Sequence, residues 1–281
     1  MPPRLILLTG LPRSGTTLCC HLLNQAANTV ALFEPMDVFS LPAGDTHAAV
    51  AAVADFAGRA RAGLLADRRA ASFHAGGEIP DNPAGETVDE RRTWRVSHGE
   101  VRFDKPLDPD FTLAIKHNAA FTALLPELSS LAPCYGVLRN PLAVLASWNS
   151  LSLPVSSGRV PAGERLDPGL AAALDVEPDR LERQCRVLEW FFARFRDALP
   201  ASRVLRYEML VDGHGRAVFE ATGVPAPPLA PLSSRNANAE YPRGEIRRYA
   251  DRLLGHDGAW RHFYSEREVR ELARHLADDG A

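Results

Sequence analysis

The chain has 281 residues, with 32 Lys+Arg against 35 Asp+Glu and a formal net charge of −3. At 46% hydrophobic and 24% charged residues it has the composition of a globular protein, which excludes the disordered and fibrous classes. The near-neutral balance lacks the basic excess of a general nucleic-acid binder, so any anionic ligand has to be held by local chemistry. No apolar run reaches the roughly 18–20 residues of a membrane span. The short run Leu5-Ile6-Leu7-Leu8 behind Met1-Pro2-Pro3-Arg4 does not have the length of a secretory signal. Cys19, Cys20, Cys134 and Cys185 show no metal-ligand spacing and read as reduced thiols, so a cytoplasmic protein is expected.

Taken in chain order, residues 4–9 read as a buried strand, 10–15 as a loop and 16–27 as a helix. Residues 29–33 are a second strand, and 112–116 a third that is followed by a helical stretch over 119–131. The fourth strand, 134–138, runs into a helix over 141–151, where Pro141 suits the first turn. A fifth strand at 203–206 precedes a helix near 208–221. Strands separated by helices imply βαβ units, hence an α/β fold with a central, mostly parallel sheet in three layers. Two regions interrupt the rhythm. Residues 70–110 are rich in Gly, Pro and charge and read as loops with a short strand, and 153–178 as a long loop. The helix expected over 179–199 carries Leu181, Cys185, Leu188, Phe192, Phe195 and Leu199 on one apolar stripe, a packing pattern. The whole chain reads as a single domain, with insertions at about 37–110 and 153–178.

The chemistry is concentrated in Gly10-Leu11-Pro12-Arg13-Ser14-Gly15-Thr16-Thr17, a G-x-x-x-x-G frame between a strand and a helix. In that setting backbone N–H groups converge on an anion at the positive end of the helix. The Lys that reaches the β/γ-phosphates in nucleoside-triphosphate enzymes is replaced here by Thr16, while Thr17 keeps a hydroxyl. The loop is therefore poorly equipped for γ-phosphoryl transfer but still able to cradle a terminal phosphate, with Arg13 as a fixed positive charge. A second anion site is suggested by Arg139-Asn140-Pro141 at the end of the fourth strand, with Ser147 two helical turns onward. Together they suit a nucleotide phosphorylated at two separate positions.

These segments resemble the sulfotransferases that use 3′-phosphoadenosine 5′-phosphosulfate. Pro12, Arg13, Ser14, Gly15, Thr16 and Thr17 are similar to the family's 5′-phosphosulfate loop. Arg139 with Ser147, eight residues apart, resembles its 3′-phosphate motif. Leu205-Arg206-Tyr207-Glu208-Met209-Leu210 resembles a family segment whose Tyr lies near the nucleoside. The markers run in family order over residues 5–210; beyond Val211 the likeness fades. There, Ser233-Ser234-Arg235 and Arg243-Gly244 are both candidates for the loop that closes over the 3′-phosphate.

Sulfuryl transfer needs an activated acceptor and a stabilised leaving phosphate. Glu34, just past the second strand, is the preferred general base. The resemblance to carbohydrate- and tyrosine-directed members implies a catalytic Glu about this far beyond the loop. Lys116 can donate to the bridging oxygen as the nucleotide leaves. His117 is the alternative base, because cytosolic-type members use a His two residues beyond such a Lys, whereas here it is adjacent. That shift turns the ring to the opposite face of an extended segment. No metal is required, since Arg13, Lys116 and Arg139 can neutralise the phosphates. The expected acceptor is a hydroxyl of a small molecule, carbohydrate or lipid; a P-loop kinase or NTPase and a non-catalytic nucleotide-binding protein are the alternatives. No nucleic-acid partner is expected, and the oligomeric state is not legible.

Overall fold

The computed structural model describes residues 4–88, 91–238 and 240–278. Its strands are β1 (Arg4–Gly10), β2 (Thr29–Phe33), β3 (Arg69–His74), β4 (Ala84–Val88), β5 (Arg91–Trp94), β6 (Ser97–Arg102), β7 (Thr112–Lys116), β8 (Cys134–Leu138) and β9 (Val204–Arg206). Its helices are α1 (Thr16–Leu23), α2 (Thr46–Asp67), α3 (Ala119–Ala123), α4 (Leu125–Leu131), α5 (Pro141–Asn149), α6 (Pro161–Leu166), α7 (Pro168–Asp175), α8 (Arg180–Ala198), α9 (Tyr207–Asp212), α10 (Arg216–Thr222), α11 (Ile246–Leu254) and α12 (Glu266–Asp278).

Five strands form one sheet in the order β2-β7-β1-β8-β9, every neighbouring pair parallel. Helices flank this sheet, giving the three-layer α/β arrangement expected from the alternation of strands and helices. The inner strands are apolar runs because both faces are covered: Ile6, Leu7, Leu8, Leu113, Ala114, Ile115, Val137 and Leu138 are all buried. The chain leaves central β1 toward β2, then crosses from β7 on one side of β1 to β8 on the other. Such a reversal opens a crevice at the carboxyl ends of the strands. The antiparallel pair β3–β6 leans on edge strand β2, where the Phe33 N–H donates to Ser72 Oγ at 2.9 Å. A separate pair, β4–β5, stands beside the crevice.

Several element boundaries differ from the sequence reading, each for a local reason. Helix α1 stops at Leu23, not residue 27. Asn24 turns its side chain onto Ala31, and the Lys105 ammonium binds the carbonyls of Asn24 and Ala26. The stretch 119–131 breaks at Leu124, because Pro126 cannot donate back to the preceding turn. The stretch 208–221 breaks at His214 and Gly215, both left-handed. Residues 70–110 hold a full set of strands and not loops with one short strand. Helix α2 was hidden by its alanine-rich, weakly patterned sequence, burying only Ala49, Val53, Ala57 and Leu64. In 153–178 the prolines start helices: Pro154, Pro161 and Pro168 each open a short helical element. Helix α8 matches its expected span, capped by Asp179, but Cys185 is only half-buried. Gln184 and Phe191 complete its inner face, with Gln184 satisfied by Asn149 and the carbonyls of Val155 and Ser156.

The remaining thiols are buried and unpaired by disulfides. Burial raises Cys20 and Cys185 to about 12 and Cys134 to about 11, so none is a ready nucleophile. Among the described residues no helix is long and apolar enough to cross a membrane.

Gly10, where β1 enters the loop, has no room for a side chain. A Cβ there would lie 2.5 Å from Thr16 Cγ2 and 2.6 Å from the Val137 carbonyl oxygen. Gly10→Ala is expected to cost about 3 kcal/mol of stability by forcing β1 from β8, measurable by urea unfolding. An unchanged midpoint would show that the loop gives way.

Candidate active site

Each strand of the parallel sheet delivers its next residue to one edge. Leu11 follows β1, Glu34 follows β2, His117 follows β7, Arg139 follows β8 and Tyr207 follows β9. A cavity of about 300 Å³ opens there. Its walls include Pro12, Arg13, Gly15, Thr16, Thr17, Glu34, Lys116, Arg139, Tyr207 and Arg235. That volume is at the lower end for small-molecule sites.

The loop between β1 and α1 is built to face the cavity with donors. Its carbonyls are tied back elsewhere: Leu11 to the Ser14 N–H, Pro12 to Trp148 Nε1–H at 2.8 Å, and Arg13 to an Arg139 guanidinium N–H at 2.9 Å. Ser14 is fully buried and spends its hydroxyl on the Val137 carbonyl at 2.7 Å, so it fastens the loop and does not reach into the cavity. Gly15, at φ 98°, caps α1 without any side-chain hydrogen bond to the first turn. The leading N–H groups of α1, at Thr16 and Thr17, are thus available at the positive end of the helix. A Cβ on Gly15 would sit 2.9 Å from the Tyr207 ring, which fixes this close approach.

Glu34 and Lys116 meet on adjacent strand ends. The Glu34 N–H donates to the Lys116 carbonyl at 2.8 Å, and Lys116 Nζ donates to Glu34 Oε1 at 2.6 Å. Lys116 is 2% exposed in its side chain and Glu34 30%, so the carboxylate is the partner open to the cavity. The ammonium also lies 4.5 Å from the Phe33 ring centroid, a cation–π contact. Burial pushes the Glu34 carboxyl up, but the Lys116 charge and its hydrogen bond hold the net value below the usual carboxylate range. Glu34 is therefore ionised at neutral pH, in a left-handed backbone conformation at φ 44°.

His117 is placed away from this chemistry. It is buried, packs 5.0 Å from the Phe121 ring and accepts the Met36 N–H at Nε2. Burial lowers its pKa to about 3, leaving the ring neutral with its basic nitrogen already engaged. The one-residue shift from Lys116 turns the two side chains apart, and His117 holds the Glu34–Met36 turn from beneath.

Arg139 lines the cavity and ties it to the C-terminal segment. Its Nε donates to Asn236 Oδ1 at 2.7 Å, and Nη2 donates to the Arg235 carbonyl and to the Tyr241 hydroxyl. The guanidinium stacks 4.6 Å from the Tyr207 ring, and the Tyr207 hydroxyl accepts the Arg235 N–H at 3.0 Å. Ser147 is not on the cavity wall beside Arg139. It is fully buried in α5, where its hydroxyl accepts from Arg13 Nε at 3.3 Å. The physical reason is the left-handed Arg13, φ 75°, whose side chain folds back over α5. Of the two C-terminal candidates, Ser233 and Arg235 reach the cavity, whereas Ser234 turns its hydroxyl to the Asn236 N–H and Arg243-Gly244 lies elsewhere.

Phe33, Asp81, Asn82, Trp94, Asn118, Leu153 and Tyr241 also line the cavity; Asp81, Asn82, Trp94 and Leu153 fall in the two expected insertions, whereas Tyr241 carried no expectation. Asn118 follows the Lys116-His117 pair, and its buried Oδ1 has no hydrogen-bond partner. Asp81 and Asn82 lie in a Pro/Gly-rich segment that carries no motif. Among the described residues no group of three or more His, Cys, Asp or Glu converges as metal ligands would.

No protein-family model matches the chain, and no curated protein matches it. Among solved structures it is similar to the sulfotransferase STF1 from Mycobacterium tuberculosis H37Rv, at 15% identity over 98% of this chain and 78% of that one. The TM-score is 0.33, so the likeness assigns neither activity nor substrate, and the case rests on the geometry of the cavity.

Proposed function

We propose that the protein transfers a sulfuryl group from 3′-phosphoadenosine 5′-phosphosulfate to a hydroxyl of a small-molecule, carbohydrate or lipid acceptor. The observation that carries this reading is the Glu34–Lys116 pair, placed in one cavity with a phosphate loop that has Thr16 where a kinase has Lys. The loop N–H groups and Arg13 would take the 5′ end of the donor, and Arg139, Tyr207 and Arg235 the nucleoside and 3′-phosphate side. Glu34 takes the acceptor's proton as the new O–S bond forms. The bond between sulfur and the bridging oxygen breaks, leaving its electron pair on the departing 5′-phosphate. Lys116 has three donors, so it can hold Glu34 and still meet that developing charge. These cationic side chains balance the anionic donor without a metal. In this reading the chain is a single domain whose segments 37–110 and 153–178 supply the acceptor side, apart from Asp81 and Asn82 beside Arg235 and Arg13, and reduced thiols suit a cytoplasmic setting.

Incubation with the donor and a mixed acceptor panel, read by mass spectrometry, should give a product with one added sulfonate. Tight binding of adenosine 3′,5′-bisphosphate with no sulfonated product from any acceptor class would instead support a non-catalytic nucleotide-binding protein.

A further inference from the structure

Two of the cavity's cations are already held by acceptors from a third segment. Arg13 Nη2 donates to Asn82 Oδ1 at 2.9 Å, and Arg235 Nη2 donates to Asp81 Oδ2 at 2.9 Å. Asp81 and Asn82 are consecutive and lie between β3 and β4, outside both the phosphate loop and the C-terminal segment. Their turn is secured from the other side, where Arg95 Nε donates to the Asn82 carbonyl and Arg95 lies 3.6 Å from Asp81. A carboxylate and an amide oxygen offer a guanidinium the acceptor chemistry of phosphate oxygens.

We infer that Asp81 and Asn82 are internal stand-ins for the nucleotide's phosphates, which displace them from Arg235 and Arg13 on binding. This rests on the sulfuryl-donor reading of the site. The exchange needs little rearrangement at Arg235. Its backbone is pinned by the Tyr207 hydroxyl at its N–H and by Arg139 and Tyr241 at its carbonyl. Only the side chain, 46% exposed, has to swing. Asp81 also puts a negative charge into a cavity that receives a polyanion, so it opposes the ligand until Arg235 leaves it. The free protein is thereby spared a cluster of uncompensated cations, and nucleotide binding releases the 81–85 turn.

The test is titration calorimetry of wild type and Asp81→Asn with adenosine 3′,5′-bisphosphate and with adenosine 5′-phosphate. Asp81→Asn keeps the side-chain shape and should leave the melting temperature near that of wild type. It is expected to bind the bisphosphate about two- to fivefold tighter, the range of an exposed ion pair. Affinity for the 5′-phosphate, which offers Arg235 no 3′-phosphate, should gain less than that for the bisphosphate. In wild type, the bisphosphate should speed hydrogen exchange of the 81–85 amides. Equal or weaker bisphosphate binding by the variant overturns the inference alone, as does an equal gain with the 5′-phosphate. If wild type binds neither nucleotide, the donor reading fails and this inference with it.

Discussion

Glu34→Gln is expected to lower turnover by about 10³-fold while adenosine 3′,5′-bisphosphate binds as well as, or better than, in wild type. The substitution keeps an oxygen for the Lys116 ammonium, which now stands 2.6 Å from Glu34 Oε1, but removes the group that takes the proton. It also removes a negative charge from a cavity meant for an anion, which is why donor affinity should not suffer. Steady-state kinetics and calorimetry separate the two effects. Turnover that survives Glu34→Gln but is lost in His117→Ala would return the base to His117. The geometry argues against that outcome, because His117 Nε2 is already occupied by the Met36 N–H.

Lys116→Met should remove both the leaving-group donor and the partner of Glu34. Loss of one such donor typically lowers turnover by about 10²–10³-fold. The pH dependence offers a sharper reading. In wild type, Lys116 holds the Glu34 carboxyl below its ordinary range against the opposing effect of burial. The pair therefore adds stability above the ordinary carboxylate pKa, and that contribution is lost as the pH falls through the depressed value. Without Lys116, burial prevails and the Glu34 pKa rises above its ordinary value. The acid limb of the residual rate should then move to higher pH. The variant should also lose stability as pH rises, so its deficit against wild type widens toward neutrality. Breaking a fully buried pair costs roughly 3–5 kcal/mol. With Glu34 30% open to solvent, about 2 kcal/mol is expected at neutral pH by urea unfolding. An acid limb that stays in place would show that Lys116 does not set the Glu34 charge.

The strands of the parallel sheet were legible because each is a short apolar run covered on both faces, and the residues after them fall where such folds bind ligands. Glu34, Lys116 and Arg139 thus fall at one edge on the strength of the strand pattern alone. The fate of their neighbours does not follow from it. Whether Ser147 faces a ligand or the protein depends on the left-handed turn at Arg13, which nothing in the local composition announces. Helix α2 is not legible because alanines blur its period, and in 153–178, which reads as a long loop, the prolines sit at helix starts. Asp81 and Asn82 follow β3, whose partner β6 is remote in sequence, and lead into the β4–β5 hairpin.

The left-handed backbone at Arg13 and Glu34 bears on how the protein would respond to stabilisation. Glycine would occupy either conformation without the steric penalty, about 1 kcal/mol or more at each position for a side-chain-bearing residue. A chain optimised for durability alone would place glycine at both. That an arginine and a glutamate stand there instead means the crevice trades robustness for charge at two points along its rim, so stability-directed evolution of this protein should erode its chemistry first at those two codons.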